Sequence, residues 1–128
     1  MLKISRYQDI SLIENEAKKD YVDRHSPFVH CKTSAKAGEK FEIKVRMGKD
    51  YEHPDDFDHY ISNISIFDKD KKLAEATFYA GALGGQGKKG HQEVTFYVLL
   101  EKDATITAQS YCTKHGLWES DPIKVSVS

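Results

Sequence analysis

The sequence predicts an all-β domain, an antiparallel β-sandwich with a short helical segment at its N-terminus. Three observations carry that expectation. From residue 39 onward apolar residues recur at every second position, the alternating stretches are strand-sized, and clusters of turn-forming residues separate them. Ahead of this region the apolar spacing is loosely helical instead.

In "KISRYQDISLIENEAKKD", residues 3 to 20, Ile4, Ile10, Leu12, Ile13 and Ala17 fall near one helical face, and acidic residues precede a Lys-Lys end, the order that complements a helix dipole. "EKFEIKVRM" then sets Phe41, Ile43, Val45 and Met47 against charged neighbours, which predicts a half-buried strand. Further strands are expected at 59–68, 72–80, 91–100, 104–111 and 123–128, with turns at "DKDKK" and "EKD". The Gly-rich "GALGGQGKKG" lacks the G-x-x-x-x-G-K-[ST] order of a phosphate-binding loop and precedes a strand, so it reads as a mobile β-loop. Strands and turns at this spacing favour a sandwich. No repeat, heptad or linker divides the chain.

A length of 128 residues suits one domain with a sizeable core. With 19 basic and 20 acidic residues the formal charge is −1, so no overall field favours nucleic acid or an anionic membrane. Attraction of a charged ligand must be local. The longest apolar run, "FYVLL", is far short of the about 20 residues that span a bilayer. Asp9 and Glu14 interrupt any signal-peptide pattern, and two cysteines, Cys31 and Cys112, are too few for a disulfide scaffold. A reduced, cytoplasmic location is therefore expected, leaving Cys112 available as a thiolate.

The polar residues that a sandwich does not require lie in three segments, all expected to be loops beside strands. His53 and His59 flank "PDDFD", a proline-started loop that returns two imidazoles to one neighbourhood. His25 stands in the turn-like "DRHSPF". Cys112 and His115 share "CTKHG", where Gly116 permits a tight turn and a two-residue gap lets sulfur and imidazole reach one ion. Singly, each has an ordinary explanation: cysteine is often a small buried hydrophobe, and loop histidines are usually just solvated. Together they supply a complete ligand set. Four imidazoles and a thiolate overfill a tetrahedral zinc ion but leave one position open on an octahedral metal. Iron(II) accepts that geometry, and a thiolate opposite the open position would push electron density toward a bound oxygen species.

These segments resemble a known family. "SYCTKHGLWES" is similar to the S-Y-C-N-x-H-G-L-W-E signature of the superoxide reductases, the neelaredoxin and desulfoferrodoxin family. "VRMGKDYEHPDDFDHYI" is similar to V-x-V-G-K-x-x-x-H-P-x-x-x-x-H-x-I with both histidines in register, and "DRHSPFV" looks like E-K-H-x-P-x-I. The resemblance implies an immunoglobulin-like β-sandwich over residues 22–128; the apolar spacing ahead of it predicts a partly helical extension, residues 1–21. It implies one mononuclear iron bound by His25, His53, His59 and His115 as equatorial nitrogens and by Cys112 as axial sulfur. The implied reaction is one-electron reduction of superoxide to hydrogen peroxide, with the iron re-reduced by rubredoxin or a similar donor. Absence of the four-cysteine domain of desulfoferrodoxins makes the chain resemble the one-iron neelaredoxin type, for which a homo-oligomer, tetramer or dimer, is expected.

Two positions depart from the family pattern. A glutamate that binds the open iron position is matched here by Asp23, one methylene shorter, and a lysine that attracts superoxide is matched by Arg24. Arginine keeps the attraction but does not deprotonate in proteins, so water is expected to supply the protons. Lys49 is a second local cation, with a solvated strand end as its simpler explanation. The amides of Lys114 and His115 are expected to donate to the Cys112 sulfur. Leu117 and Trp118 either cover the site or pack beneath it. His30 and His91 read as surface residues and Cys31 as buried. Two other readings survive at this stage: a metal-storage or sensing protein on the same fold, and a metal-free immunoglobulin-like interaction module.

Overall fold

The computed structural model describes residues 2–128. In chain order the elements are β1 (Ser5–Arg6), a 3-10 turn (Ile10–Leu12), α1 (Glu16–His25), β2 (Pro27–His30), β3 (Ser34–Ala35), β4 (Lys40–Met47) and β5 (His53–Pro54). There follow β6 (Ile61–Asp68), β7 (Lys71–Thr77), β8 (Lys89–Gly90), β9 (Glu93–Leu99), β10 (Ala104–Cys112), β11 (Gly116–Glu119) and β12 (Ile123–Val127). The six strands expected from alternation are β4, β6, β7, β9, β10 and β12. The short strands carry no such signal, because two to four residues are too few to show a period.

The larger sheet centres on β10. On one side it pairs with β6, which pairs with β7; on the other it pairs with β12 and, toward its C-terminal end, with β11. The second sheet runs β2-β4-β9, and β5 and β8 form a separate ribbon. The sheets are antiparallel except at two margins, where β1 runs parallel to β11 and β3 parallel to β12. The inward residues of β4, namely Phe41, Ile43, Val45 and Met47, are all buried, against Ile61, Ile64 and Ile66 of β6, Ile106 and Ala108 of β10 and Val125 of β12. Each such side chain contributes about 1.5–3 kcal/mol by leaving water. This is the alternation read in the sequence, converted into a core.

The helix lies later than the apolar spacing predicted. Asp9 caps the 3-10 turn through the Ser11 amide at 3.0 Å, and the chain stays extended until Asn15, whose side chain accepts from the Lys18 amide at 2.9 Å and starts α1. Pro27 ends it, because the residue before a proline is pushed out of helical conformation; Ser26 has φ −84° and ψ 125°. The helix therefore runs through residues 21 and 22 and carries His25 in its last position, where a turn had been expected. The Gly-rich segment is also not a free loop, since Lys89–Gly90 pairs with His53–Pro54 and the Asp55 side chain binds its amides.

Candidate metal centre

Four separate pieces of chain deliver the cluster. His25 comes from the end of α1, where its Nδ1 donates to the Tyr21 carbonyl one turn back at 2.7 Å. That bond fixes the tautomer and turns the Nε2 lone pair outward. His53, on β5, is fixed in the same manner: its Nδ1 donates to the Pro54 carbonyl at 2.7 Å. His59 closes a tight loop in which Asp56 and His59 exchange backbone hydrogen bonds, both 3.0 Å. Cys112 ends β10 at a bulge, where the pairing with β6 skips from Tyr111–Asn63 to Cys112–Ile61. The unpaired residue is Ser62 of β6; along β10 the in-and-out alternation runs on unbroken, so Tyr111 faces outward and the Cys112 sulfur the interior. Gly116 then takes φ +81°, and the reversal brings His115 back over Cys112.

The four rings form a closed square in chain order. Neighbouring centroids are 4.9 Å (His25–His53), 4.8 Å (His53–His59), 4.8 Å (His59–His115) and 4.7 Å (His25–His115) apart, with each neighbouring pair crossed at 73–83°. Across the diagonal, His25 and His59 are 6.0 Å apart and nearly parallel, at 23°. Ligand atoms of His25, His53, His59 and Cys112 all lie within 4.8 Å of one another. His115 falls outside that grouping but joins it through Nδ1, 3.1 Å from His25 Nε2 and 3.7 Å from Cys112 Sγ. Two nitrogens bound at right angles to one ion at about 2.1 Å would be about 3 Å apart.

Burial and charge prepare the set for a cation. His25, His53 and Cys112 are fully buried, whereas His59 and His115 keep some exposure and form the open side. Among the described residues, the buried side-chain nitrogens without a partner are Nε2 of His53 and His59, Nε of Arg24 and Nε1 of Trp118, all in this corner. Orphaned buried nitrogens are costly unless something binds them. Burial lowers the pKa of His25 to about 3 and that of His53 to about 4, against partial opposition from their carbonyl bonds. His59 and His115 are lowered too, chiefly by burial and then by nearby positive charge. All four are neutral, and so able to ligate, at ordinary pH. Burial pushes the Cys112 thiol up, while the amides of Lys114 and His115 and the charges of Arg24 and Lys114 pull it down; the His115 amide is 3.4 Å from the sulfur. A bound cation would complete what those amides begin. These donors fit iron: a square of imidazoles with a sulfur beside it suits a five- or six-coordinate ion better than tetrahedral zinc.

The remaining expected residues are distributed unevenly. The Arg24 guanidinium lies 3.7 Å from Asp20 and its charge acts on all four histidines and on Cys112. Lys49 instead lines a surface cleft with Tyr7, Asp9 and Asp50. The second cation felt by the cluster is Lys114, which the sequence suggested only as an amide donor. Asp23 was expected beside the open metal position; both its oxygens are occupied by backbone amides of Lys49, Asp50 and Tyr51 at 2.9–3.2 Å. Trp118 is buried and stacked on His25 at 5.0 Å and 16°, so it packs beneath the ligand ring. Tyr21, unforeseen, sets its ring against His25, His115 and Trp118. Its place four residues before His25 has meaning only once the helix is known to reach that far. His30 is exposed, His91 is half-buried with Nδ1 donating to the Met47 carbonyl at 2.9 Å, and Cys31 is half-buried rather than buried.

A β-sandwich holding four imidazoles and a thiolate around one point defines a class of metal-binding proteins. Comparison with known proteins identifies the family: residues 15–121 match the desulfoferrodoxin model, and the chain belongs to that family. It is 34% identical over 109 residues to a candidate superoxide reductase of Thermotoga maritima, covering 77% of this chain and 83% of that protein. It is 30% identical over 109 residues to a neelaredoxin of Megalodesulfovibrio gigas, covering 77% and 84%. Among solved structures, a superoxide reductase (neelaredoxin) from Ignicoccus hospitalis superposes with a TM-score of 0.66 at 27% identity, covering 81% of each chain.

Proposed function

We propose that the chain is a superoxide reductase, with one iron held by His25, His53, His59, His115 and Cys112 in the portion from residue 22 to 128. The observation that carries this reading is the square of four imidazoles whose free nitrogens, with the Cys112 sulfur, converge from distant parts of the chain. When bound, the iron supplies one electron to superoxide, which takes up two protons and leaves as hydrogen peroxide without release of dioxygen.

The protein's own groups then have distinct tasks. The carbonyls of Tyr21 and Pro54 hold two imidazoles in the ligating tautomer. Trp118 and Tyr21 close the inner face of the site to water. Arg24 attracts the anion through a charge that all five donor residues feel. Solvent entering past His59 and His115 supplies both protons, since arginine as a residue type is not a proton donor in proteins. A small one-electron protein such as rubredoxin returns the electron. The cytoplasm, where superoxide is consumed beside reduced donors, is the proposed location, and association of several copies the proposed state. Among the described residues no helix is long and apolar enough to cross a membrane.

Metal content and visible spectrum, measured on iron-loaded protein before and after oxidation, test the reading. One iron per chain, a long-wavelength thiolate-to-iron band on oxidation, and loss of that band in Cys112→Ser are expected, together with rapid consumption of superoxide pulses by the reduced protein. Failure to retain iron, or an oxidised spectrum indifferent to Cys112, would leave a metal-free interaction module as the better description.

A further inference from the structure

Two aspartates stand two positions from two of the histidines, Asp23 before His25 and Asp55 after His53, and both are buried, at 0% and 1% exposure. Among the described residues neither forms an ion pair within 4 Å. Each instead gathers three backbone amides from a remote loop. Asp23 Oδ2 accepts from Lys49, Asp50 and Tyr51 at 3.0, 2.9 and 2.9 Å, and its Oδ1 also receives the Lys49 amide at 3.2 Å. Asp55 Oδ2 accepts from Gly81, Leu83 and Gly85 at 3.1, 2.8 and 2.8 Å.

The loops so held are those that position the cluster. Residues 49–51 lead from β4 into His53, so Asp23 ties the helix that ends in His25 to the entry of the next ligand. Gly48 starts that loop at φ +75°, with the Tyr51 carbonyl where a side chain would stand, so the turn is built for close approach. The glycine loop is fastened along the other flank of the His53–His59 segment. The Asp55 amide donates to the Lys88 carbonyl at 2.9 Å, the Gly87 amide to Asp56 Oδ1 at 2.9 Å, and the Phe57 amide to Gln86 Oε1 at 3.1 Å. His53 and Gly90 are cross-strand partners. A loop with five glycines, four of them at positive φ, would otherwise be among the most mobile parts of the chain.

We infer that Asp23 and Asp55 are positioning residues of the metal centre: each buries a carboxylate as the nucleus around which a remote loop folds, holding His25, His53 and His59 in ligating geometry before any metal arrives. The inference rests on the cluster being a metal site. It assigns Asp23 to the scaffold instead of to the metal, because using its oxygens as a ligand would strip three backbone amides of their acceptor. Preorganisation of this kind separates a tight site from the same residues held loosely. It also explains why the glycine loop, which lacks a phosphate-binding order, is folded at all.

The test is metal binding by the full chain, using cobalt(II) as a spectroscopic probe, in Asp23→Asn, Asp55→Asn and Asp55→Ala. Asp68→Asn and Asp103→Asn serve as controls, since those carboxylates also accept backbone amides, but far along the sheet. Asparagine at 55 keeps one oxygen where all three amides converge; at 23 it sets an NH₂ against the Lys49 amide. The expected order of lost cobalt affinity is therefore Asp55→Asn smallest, with Asp23→Asn and Asp55→Ala at least tenfold. In the same two variants the cobalt–thiolate band shifts or broadens, and the amides of 49–51 or of 81–85 lose hydrogen-exchange protection in the metal-free protein. Both controls lower the unfolding midpoint without altering affinity or spectrum. Wild-type affinity and spectrum in Asp23→Asn and Asp55→Ala, with the fold intact, would overturn the inference. So would an equal loss in the controls, which would reduce the effect to general stability. If a variant fails to fold, the exchange protection of the wild-type amides still decides, since unprotected amides would mean no clamp. Should wild-type protein bind no cobalt, the metal-site reading fails, whatever the exchange data say about the loops.

Discussion

His25 Nε2 and His115 Nδ1 lie 3.1 Å apart, although 90 positions separate the two residues in the chain. His25 is fully buried, bonded to the Tyr21 carbonyl and stacked on Trp118, while His115 rides on an exposed turn. The two rings meet at one point but are held by different means, and their removal has different consequences. His25→Ala is expected to destabilise the metal-free protein by about 2–4 kcal/mol, through a cavity and an unpaired carbonyl. His115→Ala changes that stability by less than about 1 kcal/mol. Both lower metal affinity at least tenfold. Urea unfolding beside metal titration checks the contrast, and equal effects on stability would contradict it.

Arg24 and Lys114 are the cations whose charge reaches the cluster; Lys49 lies in a different cleft. For Arg24→Ala the second-order rate constant with superoxide falls by about three- to thirtyfold, and its dependence on salt flattens. Arg24→Lys retains most of the rate. Lys114→Ala gives a smaller loss of the same kind, and Lys49→Ala none. Pulse radiolysis over a range of ionic strength measures all four; a rate in Arg24→Ala equal to wild type at low salt would remove Arg24 from the mechanism.

Acid should unfold the metal-free protein through its histidines. In the native state burial keeps His25 and His53 neutral down to about 3 and about 4, whereas in the unfolded chain they protonate near the usual 6.5. The unfolded state then binds more protons, so stability is fully present above about pH 6.5 and falls as pH falls. Each histidine contributes a slope of up to about 1.4 kcal/mol per pH unit, which levels off below its folded value. Urea midpoints at pH 7.5, 6, 5 and 4.5 test this, and a midpoint that stays level from 6.5 to 4.5 would refute it. Bound iron requires neutral imidazoles and a thiolate, so it steepens the same dependence.

The sandwich core adds stability beyond what the site residues contribute. Ile43 of β4 and Ile106 of β10 are wholly buried in the shared core. Ile43→Ala and Ile106→Ala are each expected to cost about 2–5 kcal/mol, and Ile→Val at either position about 0.5–1.5 kcal/mol. Denaturant unfolding with unchanged m-values reports the loss. The visible spectrum of the iron-loaded variants remains that of the wild type wherever they fold.

Strands of the sandwich were legible where the alternation was long: Phe41, Ile43, Val45 and Met47 announced β4, and the same period announced β6 and β10. Ile10, Leu12 and Ile13 imitate helical spacing ahead of the helix itself. The cap at Asn15 and the stop before Pro27 set its true limits. His25 consequently looked like a turn residue. Its location at a helix end depends on capping bonds that a hydrophobic pattern does not register. The glycine loop looked mobile because its composition is permissive; the Asp55 carboxylate that holds it lies 26 to 30 positions away.

By itself the sequence determined the class of fold and pointed to the candidate donor residues, because strand periodicity is local and imidazole and thiolate chemistry belongs to the residue type. The C-x-x-H and H-P-x-x-x-x-H spacings were readable for the same reason. Only the tertiary structure decided that the four rings form a square with the sulfur beside them, that Arg24 and Lys114 rather than Lys49 are the cations near it, and that Asp23 accepts from the amides of Lys49, Asp50 and Tyr51. Those arrangements depend on which backbone amides a buried carboxylate captures and on how helix end, loops and strand ends converge. Such relationships join residues distant in the chain, and only packing brings them together.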